Sequence, residues 1–305
     1  MKNTMIKPGI CIAVLSLVLH GLGAQDRFPV RQLTFGPAQK GFPTWSPDGD
    51  YLIYQHSDRY DTLNRNGLWQ ISPDGSGAIQ ISHELAEHPQ WSPDGSLVVF
   101  DADTGNNIKL ISAEGGPSLT FLPDSIDIQN GGLPCWSPDG SKIAFLEAGS
   151  GSLCIYHMQK GLVKRIFREN GMLPMPGAWM PDGKSVLIAL MDRSTRRSTL
   201  WKISAGGNKK QQITGHHENL YRYAVPSPDG KWLVYGVYVN GSSGLYIMPA
   251  RGGISLPLIV TDNAHNGGPS WSPDGTKLAF ISTRSGGFNI WVMDMDLDEL
   301  EKEFL

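Results

Sequence analysis

Cysteine is scarce: Cys11, Cys135 and Cys154 are the three in 305 residues, so no disulfide framework can be read from the chain. Charge is scarce too, at 18% of residues, with 26 basic against 29 acidic groups and a net −3. Without residues 1–24, which hold Lys2, Lys7 and no acid, the balance is 24 to 29, or −5. A chain of that sign lacks the basic footprint that grips phosphate backbones, so no nucleic-acid partner is expected. Long apolar runs are missing: the longest, Ile10–Leu19, is half of the roughly 20 residues a spanning helix needs. There is no Gly-x-Ser-x-Gly string, the nearest being GSSG at 241–244 and GSGS at 149–152, which excludes the nucleophile elbow of an α/β-hydrolase.

The amino-terminal run reads as an address. Lys2 and Lys7 precede the apolar stretch, and Gly23-Ala24 supplies a small-residue exit, the layout of a cleavable secretory signal over residues 1–24. Cys11 lies inside the apolar stretch, so a lipoprotein anchor is not indicated. The mature chain, residues 25–305, is then periplasmic or secreted, with no membrane span after cleavage.

What is abundant is glycine (36), proline (21) and tryptophan (nine), a composition of many turns and many short strands. The string WSPDG begins at Trp45, Trp91, Trp136 and Trp271, with WMPDG at Trp179 and PSPDG at Pro226, at intervals of 43–47 residues. That period is the signature of propeller blades. Ser-Pro-Asp-Gly suits a type I turn, with Pro at its second place and Gly at its fourth. Apolar residues follow seven places after the Trp position (Leu52, Val98, Ile143, Val186, Leu233, Leu278) and nine places after it (Tyr54, Phe100, Phe145, Ile188, Tyr235, Phe280). Alternation at period two is a strand with one face packed inward.

Third strands follow at LWQI, IKLI, IYHM, LWKI, LYIM and IWVM, and fourth strands end at Ser82, Thr120, Thr214 and Thr261. The expectation is an all-β, six-bladed β-propeller of four antiparallel strands per blade, forming a single domain. The sixth copy has no fourth strand of its own, and Gln32-Leu33-Thr34 is the matching piece, so an amino-terminal strand should close the last blade. Cys135 and Cys154 then fall on the first and third strands of one sheet, nearly 10 Å apart at about 4.8 Å per strand step, too far to bridge.

The segment WSPDGTKLAFISTRSGGFNIWVMDMD closely resembles the repeat of the TolB-type propeller, and the pattern covers nearly all of residues 30–305. The resemblance implies a periplasmic binding role: propellers of this family bind a peptidoglycan-associated lipoprotein, and carry an extra amino-terminal domain for inner-membrane partners. Only residues 25–44 separate the expected cleavage site from Trp45, so that extra domain is not expected here. Related propellers occur in prolyl-oligopeptidase-type peptidases, whose hydrolase domain this chain has no residues to build.

In such a ring the loops leading into the innermost strands, and those joining second to third strands, share one mouth of the channel. They carry the candidate ligand-binding residues His88, Asn130, Arg222, Tyr223, His265 and Asn266, with Arg59 and Arg284 at the edge. Tyr and Arg are the types enriched in binding hot spots. The expected ligand is a protein or peptide of the cell envelope, or an envelope glycan, held by a non-enzymatic monomer. The rival is a propeller enzyme of sugar-lyase or lactonase type centred on His88 or His265. No metal-ligand spacing appears, so neither metal nor cofactor is expected. Six basic residues between Arg193 and Lys210 divide between two faces, the arginines at the mouth and Lys209-Lys210 opposite. The acidic tail Asp294–Glu303 lacks the sixth-place Gly and terminal Glu of a calcium loop. The exported product should begin near Gln25; amino-terminal sequencing that returned Met1 would refute the cleavable signal.

Overall fold

The structure, a computed structural model, describes residues 25–102, 107–120, 122, 131–215, 219–239 and 241–304. The signal segment 1–24 and Asn130 lie outside the described residues.

Six antiparallel sheets follow one another round a ring. Their innermost strands are Gln39–Trp45, Ala86–Trp91, Gly131–Trp136, Met172–Trp179, Leu220–Pro226 and Asn266–Trp271. Each runs into its Pro-Asp-Gly turn and pairs with a second strand, so that Trp45 faces Leu52 and Trp271 faces Leu278. The alternating apolar residues are buried as the period requires: Phe100, Phe145 and Phe280 are wholly enclosed between neighbouring blades. Cys135 and Cys154 are free and buried on the first and third strands of blade 3. Burial pushes both thiols up to about 12, so they stay protonated and inert at neutral pH.

The repeated turn is a small hydrogen-bond machine. In five copies the Ser hydroxyl (Ser46, Ser92, Ser137, Ser227, Ser272) donates to the Asp two residues on, at 2.5–2.6 Å. The same hydroxyl accepts the N–H five residues on, as Leu97 N–H does to Ser92 at 2.9 Å. The Gly adopts a left-handed φ, from 66° to 81° across the six copies, which a side chain would strain. These turns also touch each other. A Cβ on Gly95 would stand 3.8 Å from Pro47 of blade 1, and one on Gly49 would stand 3.7 Å from Pro273 of blade 6. The Pro-to-Gly contact therefore passes round all six blades. Met180 replaces the Ser in blade 4, and Asp182 there keeps the N–H of Lys184.

Closure comes from the amino terminus. Val30–Gln32 pairs with Trp291–Met293 as the outer strand of blade 6. Leu33 N–H then donates to Ile290 O at 2.8 Å, and the Thr34 hydroxyl accepts Ile290 N–H at 2.8 Å. The pairing sits slightly earlier than Gln32–Thr34 because Leu33 turns into the core, 3% exposed. One strand was not anticipated: Gln25–Asp26 pairs with Ile259–Val260 as a fifth, outermost strand of blade 5. The acidic tail is a helix, Leu297–Glu303, capped by the Asp296 side chain on Glu299 N–H. Leu300 is buried, Phe304 packs on Trp232, and Glu303 pairs with Arg27, so both chain ends meet at blades 5 and 6.

Two outcomes follow from these contacts. Deleting residues 25–35 exposes partners of Phe28 and Leu33, each worth about 1.5–3 kcal/mol, from a total of about 5–15. Tm should fall by roughly 6–24 °C; an unchanged Tm would show that the ring closes without this segment. The second concerns acid. The Ser hydroxyls, first, and then backbone N–H groups hold the carboxyls of Asp94 and Asp139 below the usual carboxylate range. A carboxyl lowered in the folded state stabilises above its unfolded pKa of about 3.9, and that contribution is lost as pH falls through the folded value. The variant Ser92→Ala/Ser137→Ala should therefore be less stable than wild type at neutral pH, with the difference in urea midpoint shrinking below about pH 4. A difference that stays constant into acid would exclude this source.

Candidate functional site

Each innermost strand is broken at the same place. Its pairing with the second strand shifts register three residues before the Trp position, as between Gly41 and Thr44 or Arg222 and Val225. The residue at the break takes a left-handed φ in five copies: Phe42 (50°), His88 (48°), Leu133 (54°), Tyr223 (53°) and Gly268 (54°). The sixth is Pro176, whose ring fixes φ near −65°. A bulge of this kind re-aims one residue, and the six break residues, five of them with side chains, line the axis.

The result is a plug. Phe42 and His88 stand 4.0 Å apart between ring centroids, Phe42 and Tyr223 5.5 Å, and His88 and Tyr223 5.8 Å. Blades 1, 2 and 5 thus meet across the channel, and a cavity of only about 100 Å³ is left among the ring residues. His88 is held by Asp101 of its own blade, with Nδ1 at 3.0 and 3.1 Å from the two carboxylate oxygens. Asp101 also accepts Leu133 N–H from blade 3 at 3.3 Å. His88 Nε2 is buried with no hydrogen-bond partner among the described residues. Burial pushes the Tyr223 phenol up to about 12, so it remains a neutral donor.

One residue nearer the mouth, the copies carry Gly41, Glu87, Gly132, Met175, Arg222 and Gly267. The glycines admit second-strand side chains: a Cβ on Gly41 would stand 2.9 Å from Gln55 Oε1, and one on Gly132 would stand 3.1 Å from Asp101 Oδ2. Arg222 lies over the Tyr238 ring at 5.6 Å, with its guanidinium beside the Tyr223 hydroxyl. Its Nε is buried without a hydrogen-bond partner among the described residues. Tyr238 in turn lies 6.4 Å from the His265 ring, which stacks 6.3 Å from Phe288. Glu87 is exposed at the same level.

The structure thus gathers His88, Tyr223, Arg222 and His265 into one aromatic and cationic surface. Other candidates have separate duties. Asn266 is 1% exposed and fully engaged, bonding Ser243 of blade 5 and accepting from the Ser282 hydroxyl at 2.7 Å. Arg284 bonds Asp26 of the amino-terminal strand at 2.5 Å and Ser282 at 3.1 Å, so it fastens that strand. Arg59 sits on an exposed loop over Tyr60. Lys209 ends the third-to-fourth turn of blade 4 and Lys210 opens its fourth strand, away from the mouth; Lys210 pairs with Glu169. Phe42, Asp101 and Tyr238 were not among the sequence candidates. The recurring X-Pro before the Trp (Phe42-Pro43, His88-Pro89, Leu133-Pro134, Gly268-Pro269) was the available signal, because proline inside a strand marks a bulge. Among the described residues no group of three His, Cys, Asp or Glu side chains could hold a metal ion. No helix among them is long and apolar enough to cross a membrane.

No family model matches the chain. It is 26% identical over 257 residues to an uncharacterized protein of Agrobacterium fabrum, covering 78% of this chain and 83% of the relative. It is 24% identical over 222 residues to the Tol-Pal system protein TolB of Francisella tularensis, covering 72% of this chain but 47% of TolB. It spans 28% of an uncharacterized Bacillus subtilis peptidase that it also matches. Among solved structures, a TolB homologue from Agrobacterium tumefaciens superposes with a TM-score of 0.66 at 19% identity, over 88% of this chain and 97% of that one. A gluconolactonase from Xanthomonas campestris gives 0.65 at 12%, covering 88% and 90%. An oligogalacturonate lyase from Vibrio parahaemolyticus gives 0.61 at 11%, covering 91% and 98%. Lyase, lactonase and TolB share the architecture, so the superpositions establish fold alone. In repeat and in architecture, this chain is a TolB-like six-bladed β-propeller.

Proposed function

We propose that the protein is an exported, non-enzymatic TolB-like module that binds a protein or peptide segment at the channel mouth. One observation carries the reading: Arg222, whose Nε is buried without a hydrogen-bond partner among the described residues, lies on a closed aromatic floor of Phe42, His88 and Tyr223. A buried donor without a partner costs about 1–3 kcal/mol, and a ligand carbonyl or carboxylate would satisfy it. The plug means that a segment enters and stops rather than threading through. Tyr238 and His265 give its side chains apolar walls, and exposed Glu87 offers a partner for a cationic group. Export rests on the signal-like residues 1–24, and the sequence similarity to TolB supports an envelope setting.

The His88–Asp101 pair favours a second reading. A carboxylate on Nδ1 orients an imidazole and leaves Nε2 to take a proton. A lyase- or lactonase-type enzyme could use that nitrogen as its base, although the plug packs Phe42 against the ring at 4.0 Å.

The test begins with a partner identified by pull-down from envelope extract and confirmed with purified components. Arg222→Ala combined with His265→Ala should weaken binding at least tenfold, about 1.4 kcal/mol, with Tm nearly unchanged. Lys209→Ala with Lys210→Ala should change affinity little. Loss of binding in the lysine pair but not in the mouth pair would place the interface on the opposite face.

A further inference from the structure

A second and roomier space than the one at the axis lies away from it. A groove of about 390 Å³ runs between blades 6 and 1, beneath the segment that carries the chain from the outer strand of blade 6 to the inner strand of blade 1. That volume falls within the range of small-ligand sites. Its polar side is Lys40, His56, Asp58 and Arg65; its apolar wall includes Tyr54, Trp69 and Leu33.

The repeat supplies an internal control. Lys40 and His56 are paired across the first two strands of blade 1. The matching pairs are Ala86 with Ala102 in blade 2, Pro174 with Leu190 in blade 4, and Tyr221 with Val237 in blade 5. Polar residues occur at this level in two other blades, and both are engaged. Glu147 bonds Arg165 at 2.6 and 2.7 Å, and Ser282 bonds Asn266. A propeller can therefore close this level with apolar or satisfied groups. Blade 1 instead buries a lysine, 5% exposed, and a histidine, 9% exposed. Lys40 Nζ donates to Phe35 O at 2.7 Å and Gly36 O at 3.2 Å. His56 Nδ1 is buried in the groove wall with no hydrogen-bond partner among the described residues. Burial, with Lys40 and Arg65 nearby, lowers the His56 pKa, so its ring is neutral at neutral pH and can both give and accept a hydrogen bond.

Charge narrows the ligand. Lys40 and Arg65 are balanced by Asp58 and by Asp61, which binds Arg65 at 3.1 Å. An ionic ligand would gain little net attraction there. The lining mixes donors and acceptors with aromatic rings: Trp69 is fixed by its Nε1–H on Arg65 O at 2.8 Å, with the His56 ring 5.7 Å away. This is the chemistry of a neutral, polyhydroxylated ring with one apolar face. We propose that the groove between blades 6 and 1 binds a neutral pyranose sugar, with His56 Nδ1 and Asp58 on its hydroxyls and Trp69 along its face. The site is independent of the channel mouth.

The test is calorimetric titration of the full mature chain with a panel of neutral methyl hexopyranosides, and with methyl glucuronide as a charged counterpart. At least one neutral hexoside should bind saturably and raise Tm by mass action. His56→Phe fills the groove with an apolar ring, and Arg65→Ala alters an exposed loop position; each should weaken that binding at least tenfold. Thermal unfolding of both variants separates lost binding from lost folding, since Arg65→Ala also removes the ion pair with Asp61. The proposal fails if no neutral hexoside saturates, if binding survives both substitutions, or if the glucuronide binds tenfold more tightly than its neutral counterpart.

Discussion

Everything in this molecule depends on joining blade 6 to blade 1. Five of the six junctions form between consecutive blades, but the sixth must bring together residues from the two ends of the chain. Two contacts do this. The outer strand Val30–Gln32 completes the sheet of Asn289–Asp294, and the Pro273–Gly49 contact completes the ring of turns. Loop closure over such a length costs little more entropy than over half of it, because the penalty grows only logarithmically. The gain is that blades 6 and 1 cover each other's apolar faces and blade 6 has its outer strand, leaving only short blade edges. The helix Leu297–Glu303 and the extra strand Gln25–Asp26 reinforce the neighbouring junction, between blades 5 and 6, with ion pairs from Arg27 to Glu303 and from Arg284 to Asp26.

Closure also decides where function can sit. Five blades in a row are related by nearly the same contacts, but the junction between blades 6 and 1 is built from chain ends and has its own geometry. The segment Leu33–Ala38 crosses there, and the groove with Lys40 and His56 lies beneath it. At the axis a different constraint acts. Six inward bulges must share one narrow space, and the three largest rings fill it. Strained left-handed backbone at Phe42, His88, Leu133 and Tyr223 costs of order 1–3 kcal/mol each, and the strain is shared by copies with unlike side chains. It therefore belongs to the architecture first, and His88 or Tyr223 exploit a position the fold already provides.

The sequence exposed the blades readily because the repeat is visible six times and each Trp, turn and alternating apolar pair fixes a register. It also pointed to the amino terminus as the closing strand, since blade 6 lacked one that Gln32-Leu33-Thr34 could supply, two residues later than the observed pairing of Val30–Gln32. It did not show the strand Gln25–Asp26, two residues with no periodicity to read. The site was legible only in part. Strand alternation alone would send Phe42 or His88 to a blade face, and the one-residue bulge sends them to the axis instead. The partnership of Asp101 with His88 depends on that shift, and Tyr238 joins Arg222 only through the packing of second strand on first. Arg284 and Asn266 looked like rim residues by position, yet their partners lie on the amino-terminal strand and on blade 5, distant in sequence.

A repeat protein provides its own baseline for judging which residues are structural. The Asp of Pro-Asp-Gly recurs in all six copies, and in five of them its carboxylate is tied into the turn by a Ser hydroxyl, so nothing beyond folding is needed to account for it. Positions that depart from their counterparts carry a different weight. Arg222 stands where three copies have glycine, and His56 where others have alanine, leucine or valine. Both leave a buried nitrogen without a partner among the described residues, at a level of the blade where the same fold is elsewhere satisfied. A polar group that the fold does not require, kept at a cost of about 1–3 kcal/mol, is the physical form in which a binding function shows itself. Among the described residues, both proposed sites meet that measure, one on the axis and one at the seam where the ring is closed.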